Sequence, residues 1–395
     1  MLNNACYQLG SAPSTIRELY AYGLQRAAVV GSGHVYDYSI GNPSIPTPAA
    51  VHDAIRDILA DTDPVAIHSY SVAQGLEATR RAIADNLNRR FGTTLRPDNL
   101  FLTCGTSPAL VSVIRALCVD HDSEFMVVAP FFPEYRPFVE GNGGKLVVVP
   151  ADTASFQIRM DDLAQRITPH TQAILINSPN TPSGVVYTRQ TLTELAQLLR
   201  RKAEEYGHPI YIISDDPYRE LVYGGVEVPF LPSIYPDTVV CYSYSKSLSL
   251  PGERIGYVCI GDKCADSRAL MDAVSGAARV IGHICPPTLM QMVIERCADL
   301  LPDTESYDAN RQLLYGALTE MGYRCAKPDG AFYLFVEAPS GDGCEFSRRA
   351  MEHDLLIVPG DSFGCPAFVR LSYCVSHDMI ERSLPAFRAL MESYR

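Results

Sequence analysis

Lys246 closes the run Thr238-Val239-Val240-Cys241-Tyr242-Ser243-Tyr244-Ser245-Lys246, an apolar strand pattern that ends in a Ser-x-Ser-Lys turn, and Arg254 follows two helical turns later. An ammonium carried into a poorly solvated site loses hydration, and its pKa falls from the usual value of about 10.4. Placed beside hydroxyls and a guanidinium, such a lysine has a free amine able to attack a carbonyl and form a Schiff base. The remaining lysines sit in ordinary polar settings. Lys145 begins a strand, Lys202 lies in Arg200-Arg201-Lys202-Ala203-Glu204-Glu205, Lys263 is in a Gly-Asp-Lys turn, and Lys327 precedes Pro328-Asp329-Gly330.

One lysine does no chemistry unless other elements bring partners to it. From about residue 100 to 260, short apolar runs alternate with helical periodicity. The pattern predicts strands at Leu100–Thr103, Phe125–Val128, Lys145–Val149, Ala173–Ile176, Ile210–Ser214, Val239–Tyr242 and Ile255–Ile260. Several are apolar on both faces, as in a mostly parallel sheet covered by helices. Helices predicted at Ala109–Cys118, Leu192–Tyr206 and Asp266–Arg279 supply crossovers and covers. The fold class is α/β, with a mostly parallel seven-stranded sheet.

Ligands of such a sheet sit beyond the carboxyl ends of its strands, and polar residues collect there. The first strand leads into Cys104-Gly105-Thr106-Ser107-Pro108 and then a helix. Gly105 permits a tight turn, Thr106 and Ser107 offer hydroxyls, and the helix start presents free N–H groups to an anion such as a phosphate. Strand Ala173–Ile176 ends in Asn177-Ser178-Pro179-Asn180-Thr181-Pro182-Ser183-Gly184, and strand Ile210–Ser214 in Asp215-Asp216-Pro217-Tyr218. Turn residues alone would account for either loop. Successive buried strands with polar tips argue for a shared site. Arg370, inside the apolar run Ala367-Phe368-Val369-Arg370-Leu371-Ser372-Tyr373, needs an anionic partner.

After about residue 290 the order changes. A long helix through Leu314–Met321 precedes a strand at Ala331–Val336, a helix near Phe346–Asp354, a strand around Phe368–Tyr373 and a terminal helix. This predicts a smaller α+β domain at 286–395 beside a large domain at 49–285. The stretch 1–48, with one amphipathic helix at Ser14–Arg26, is too short to fold alone and is expected to pack with the small domain.

Taken together, Ser243-x-Ser245-Lys246 with Arg254-Ile255-Gly256-Tyr257, Asn177-x-Pro179-Asn180-x-Pro182-x-Gly184 and Ser214-Asp215-Asp216-Pro217-Tyr218 resemble the class I and II aminotransferases of fold type I, which use pyridoxal 5'-phosphate. The resemblance runs from Gly41 to Arg370. It implies that Lys246 forms the Schiff base and shuttles the proton, that Asp215 holds the pyridine nitrogen protonated, and that Tyr218 and Asn180 meet the ring oxygen. Gly105, Thr106, Ser107, Ser243 and Arg254 would hold the phosphate, joined by Tyr70 from the neighbouring subunit of a homodimer. Phe132, in Pro130-Phe131-Phe132-Pro133-Glu134-Tyr135, falls where relatives stack an aromatic ring, and the chain has no tryptophan for that place. Arg370 and Gly41, with Asn180, would receive the substrate carboxylate. The implied reaction transfers an amino group from an L-amino acid to a 2-oxo acid by a ping-pong cycle. Cysteine-conjugate β-elimination or decarboxylation on the same cofactor is the alternative, and a non-catalytic binding protein of this fold ranks lower. A second cation for a distal carboxylate could be Arg17, Arg279 or neither. His283 is a candidate to approach the partner's site, and Ile16 a candidate apolar plug over the substrate.

At 395 residues the chain has room for two domains. A net charge of −12 argues against nucleic acid and anionic membranes as partners. No apolar run reaches spanning length, and the start shows no basic region followed by an apolar core. Twelve cysteines scattered without a Cys-x-x-Cys pair fit reduced thiols and a cytoplasmic protein, and imply no metal site. A nicotinamide dehydrogenase is disfavoured, because Gly31-Ser32-Gly33-His34 lacks the strand and helix that a dinucleotide fingerprint requires.

Overall fold

The structure is a computed structural model that describes residues 2–11 and 15–395. Seven strands form the central sheet: β1 Leu100–Thr103, β2 Glu124–Val128, β3 Lys145–Val149, β4 Thr171–Asn177, β5 Tyr211–Asp215, β6 Thr238–Ser243 and β7 Gly256–Ile260. Their spatial order is β1-β7-β6-β5-β4-β2-β3. All share one direction except β7, which is antiparallel to both β1 and β6. That reversal has a positional effect. The start of β7 lies where the other strands end, so Arg254, two residues before it, arrives at the same edge as Ser243 and Asp215.

The strands are buried on both faces because alternate side chains feed separate cores. Phe125, Val127, Leu175, Ile213 and Val258 pack with helices Thr106–Leu117 and Ser267–Val280. Met126, Ile174, Ile176 and Ile212 instead meet helix Arg189–Tyr206. At the β1 side, Leu102, Val240, Tyr257 and Cys259 pack against helices Ala49–Asp61, Glu77–Phe91 and Thr288–Cys297. Each fully buried Leu, Ile or Val contributes about 1.5–3 kcal/mol relative to an exposed one.

A smaller antiparallel sheet of order β9-β10-β8 is formed by β8 Tyr333–Glu337, β9 Val358–Pro359 and β10 Phe368–Ser372, and β8 and β10 share a further core with helices Thr304–Met321, Gly343–Met351 and His377–Glu392. Tyr36–Asp37 pairs in parallel with Leu355–Leu356, and Tyr38 is fully buried in this core. The helix predicted at Ser14–Arg26 runs Thr15–Val30, four residues past its predicted end, with Ser14 outside the described residues, and a second helix, Asn4–Ser11, precedes it where one helix was expected. β8 starts later than predicted because Ala331 has φ +55°, a left-handed conformation that an extended strand cannot include. Helix Thr106–Leu117 starts three residues earlier than predicted, directly after Gly105 at φ +89°. Helix Glu77–Phe91 was not anticipated. Its sequence is strongly polar, and its buried stripe of Ile83, Ala84 and Leu87 is short.

Candidate active site

The carboxyl ends of β4, β5 and β6, together with the turn before helix Thr106–Leu117, surround a cavity of about 430 Å³. Register does the assembling. Asn177 of β4 pairs with Asp215 of β5, while Ser243 of β6 and Thr103 of β1 both pair with Gly256. A Cβ on Gly256 would collide with the Tyr242 carbonyl and lie 3.1 Å from the Gly105 Cα, so only glycine lets the phosphate-side turn approach β7.

Ten of the residues singled out from sequence line this cavity: Gly41, Thr106, Ser107, Phe132, Asp215, Tyr218, Ser243, Lys246, Arg254 and Arg370. Ile16 and Arg17 line it too. Gly105 stands just behind, its Cβ position 2.7 Å from an Arg254 guanidinium nitrogen. Arg254 itself has φ +53°, unusual for a non-glycine residue and typical of a backbone held in place for a function. Asn180 is buried behind the wall, while Asn177 and Thr181 reach it. Its amide donates to the carbonyls of Pro130 (3.2 Å) and Asn177 (3.4 Å), and its oxygen accepts from the Ser183 amide and hydroxyl. Tyr70 is 86 % exposed and does not line the cavity of its own chain. Neither Arg279 nor His283 lines it. Arg279 is exposed, and His283 Nε2 sits 3.2 Å from the Leu102 carbonyl oxygen, its pKa lowered by burial.

Lys246 Nζ donates to the Gly41 carbonyl at 2.7 Å, and burial lowers its pKa to about 8. Arg370 and Arg254 push in the same direction. Asp215 is pushed up to about 7 by burial, with some repulsion from Asp216, and a hydrogen bond from the Tyr135 hydroxyl at 2.6 Å opposes the rise. Arg370 is fully enclosed, and burial depresses its pKa. One guanidinium nitrogen donates to the Ser39 carbonyl, and the rings of Tyr333 and Phe363 lie 4.9 and 5.2 Å from its carbon. Two atoms stand out. Of the five side-chain atoms buried without a hydrogen-bond partner among the described residues, two, Asp215 Oδ1 and Arg370 Nε, belong to residues that line the cavity. Buried polar atoms are rarely left unmatched, so this pair calls for a ligand with a cationic N–H at one place and a carboxylate at another.

Residues 34–387 match the model of the family described as aminotransferase class I and II. The chain belongs to that family. An aspartate aminotransferase of Bacillus subtilis is 30 % identical over 403 residues, covering 97 % of each protein. A probable aspartate aminotransferase of Methanocaldococcus jannaschii is 27 % identical, covering 99 % of this chain and all of that one. Among solved structures, an aminotransferase from Eubacterium rectale superposes with a TM-score of 0.98 at 52 % identity, covering 100 % of this chain and 99 % of that one. The Thermus thermophilus aspartate aminotransferase with maleate has a TM-score of 0.86 at 27 % identity, covering 99 % of both.

The protein is therefore a pyridoxal-phosphate-dependent aminotransferase of fold type I. Its cavity fits the cofactor: a lone buried carboxylate oxygen suits a protonated pyridine nitrogen, and a helix start beside Arg254 suits a phosphate. Two tyrosines that hydrogen-bond to residues lining this cavity escaped sequence reasoning. Tyr135 lies three residues past Phe132, where helix Tyr135–Glu140 begins, and its place in that aromatic run was its only signal. Tyr333 shares a 2.8 Å hydrogen bond with the Tyr218 hydroxyl, and nothing in its apolar strand announced it. Among the described residues no group of acidic, histidine and cysteine side chains could hold a metal ion, and no helix is long and apolar enough to cross a membrane.

Proposed function

We propose that this aminotransferase carries out transfer with Lys246 as the amine that binds the cofactor and moves the proton. The carrying observation is a lysine lowered to about 8 inside the same cavity as Asp215 and two arginines. Bound there, pyridoxal phosphate supplies a carbonyl carbon that takes up the amino group and a ring that delocalises the electron pair left at the substrate Cα. At neutral pH a useful fraction of Lys246 is neutral, so its amine would be able to accept the proton that leaves the substrate Cα and to pass it to the cofactor carbon that takes up the amino group. Asp215 keeps positive charge on the ring nitrogen. Thr106, Ser107, the N–H groups after Gly105, Ser243 and Arg254 hold the phosphate. Tyr218 would hold the ring oxygen, with Asn180 behind it, and Phe132 would offer its aromatic face to the ring. Arg370 and Gly41 hold the substrate carboxylate, and burial makes that charge-assisted pair selective.

The working unit in this proposal is a homodimer in which Tyr70, largely exposed in its own chain, completes the partner's phosphate site. Unpaired thiols at all twelve cysteines support a reducing, cytoplasmic setting. The proposed division is a cofactor unit from residue 49 and a small unit that includes 1–48. Since helix Thr288–Cys297 packs with helices of the larger unit, its boundary is best drawn after Cys297 rather than at 285. An acidic amino donor ranks first, because relatives carry the name aspartate aminotransferase and Arg17 adds a cation to the cavity wall. The test is a panel of amino donors with 2-oxoglutarate. Transfer that favours aspartate or glutamate and disappears in Lys246→Ala supports the reading. Pyruvate and ammonia released from a cysteine conjugate, without acceptor-dependent transfer, would replace it with β-elimination.

A further inference from the structure

The hydroxyl of Tyr333 lies 2.8 Å from that of Tyr218, and the Tyr333 ring faces the Arg370 guanidinium with 4.9 Å between its centroid and the guanidinium carbon. All three side chains are at least nine-tenths buried, and all three line the cavity. Tyr333 also fills the space beside Gly41, where a Cβ would collide with the tyrosine oxygen. Gly41 accepts from Lys246 through its carbonyl. One side chain therefore touches three of the parts that the proposed reaction uses: the phenol at the ring oxygen, the carboxylate-binding arginine, and the backbone that holds the lysine.

We propose that Tyr333 is a two-ended positioning residue, its hydroxyl orienting Tyr218 toward the cofactor and its ring fixing Arg370 for the substrate carboxylate. The reasoning for the two ends differs. Either hydroxyl could donate in the Tyr218–Tyr333 pair. When Tyr333 donates, the Tyr218 proton is left for the cavity, and a phenol that accepts one hydrogen bond becomes a better donor in the next. At the other end, among the described residues, Arg370 Nε has no hydrogen-bond partner and one guanidinium nitrogen donates to the Ser39 carbonyl. Aromatic faces then supply much of what holds the guanidinium plane, Tyr333 on one contact and Phe363 on another.

The two ends separate by mutation. Tyr333→Phe keeps the ring and removes the hydroxyl, whereas Tyr333→Leu removes both. This inference rests on the Lys246 and Arg370 assignments above, so the wild type serves as the control. In the cofactor-loaded Tyr333→Phe protein, the pH midpoint of the visible absorbance should rise by about 0.3 unit, because a weaker Tyr218 donor leaves the ring oxygen more basic. Its dissociation constant for succinate, a non-reacting dicarboxylate, should stay within about two-fold of wild type. Tyr333→Leu should show the same midpoint shift and bind succinate about five-fold more weakly. An unmoved midpoint in Tyr333→Phe, or wild-type succinate affinity in Tyr333→Leu, would overturn the proposal. A wild type whose absorbance does not depend on Lys246, or whose succinate binding survives Arg370→Ala, would overturn the underlying assignments instead.

Discussion

Lys246 and Asp215 are each driven by burial toward the neutral form, the lysine down to about 8 and the carboxyl up to about 7. Without cofactor, both charges are costs to the fold. For the lysine the sign is definite: its folded pKa lies below the usual 10.5, so its contribution is intact above about pH 10.5 and is lost as pH falls through about 8. Lys246→Met should therefore make the apoprotein more stable by roughly 1–3 kcal/mol at pH 7, a gain that fades by pH 10.5. Urea unfolding of the two apoproteins across that range measures it. Tyr135 has the opposite role, since its hydroxyl stabilises the charged carboxylate of Asp215. Tyr135→Phe should weaken retention of pyridoxal phosphate about ten-fold, given that a hydrogen bond to a charged group is worth about 1.5–3 kcal/mol. Equilibrium dialysis would report the change. Lys246, Asp215 and Arg370 were readable as residues because charged types interrupt or end apolar runs, and Tyr218 was readable through the Asp215-Asp216-Pro217-Tyr218 motif that it closes. Tyr135 and Tyr333 were not, because tyrosine belongs in apolar runs, and only a partner's position reveals what its hydroxyl does.

At the scale of elements, the turn between β1 and helix Thr106–Leu117 is constrained both in its backbone and in the space around it. Gly105 has φ +89°, and an added Cβ would lie 2.7 Å from Arg254. Gly105→Ala combines backbone strain with displacement of the guanidinium, so cofactor affinity should fall by at least about ten-fold, with the unfolding midpoint shifted less. Fluorescence titration of the apoprotein with pyridoxal phosphate tests this. Sequence periodicity located all seven sheet strands, since apolar runs too short for a helix and bounded by turn residues suit strands covered on both faces. It was weaker on the helices outside the alternating region. Glu77–Phe91 carries Arg80, Arg81, Arg89 and Arg90, and Arg80 is buried with bonds to the Gly75 and Pro97 carbonyls. A buried arginine that caps loop carbonyls looks, in sequence, like a solvated one.

At the scale of the whole molecule, the cavity draws on both the large and the small sheet. Asp215, Ser243 and Lys246 come from the ends of the large sheet, Tyr333 and Arg370 from the small one, and Gly41 from the N-terminal stretch. The two parts are tied at the Asn180 loop, where the Gly184 carbonyl accepts from the amides of Asp329 and Gly330. If Tyr70 completes a neighbouring site, two crippled chains should complement each other. A hybrid of Lys246→Ala and Tyr70→Ala subunits contains one site with both residues intact. Mixed dimers made by co-expression should recover about half the wild-type activity per hybrid, above either parent, and sedimentation should show no monomer at working concentration. Activity no higher than the sum of the parents would remove Tyr70 from the partner's site.

Sequence alone determined the chemistry available to this protein. A lysine, a carboxylate and an arginine set into apolar strands are too costly to bury without a purpose, and their types and order are visible without coordinates. Tertiary structure decided their use: which edge they share, which atoms stay unmatched, and how burial moves Lys246 and Asp215 toward each other in pKa. Those properties depend on distances between residues as far apart in the chain as Gly41 and Lys246, set by strand register and by the reversed direction of β7. No local pattern encodes that separation, because it results from how all the elements pack at once.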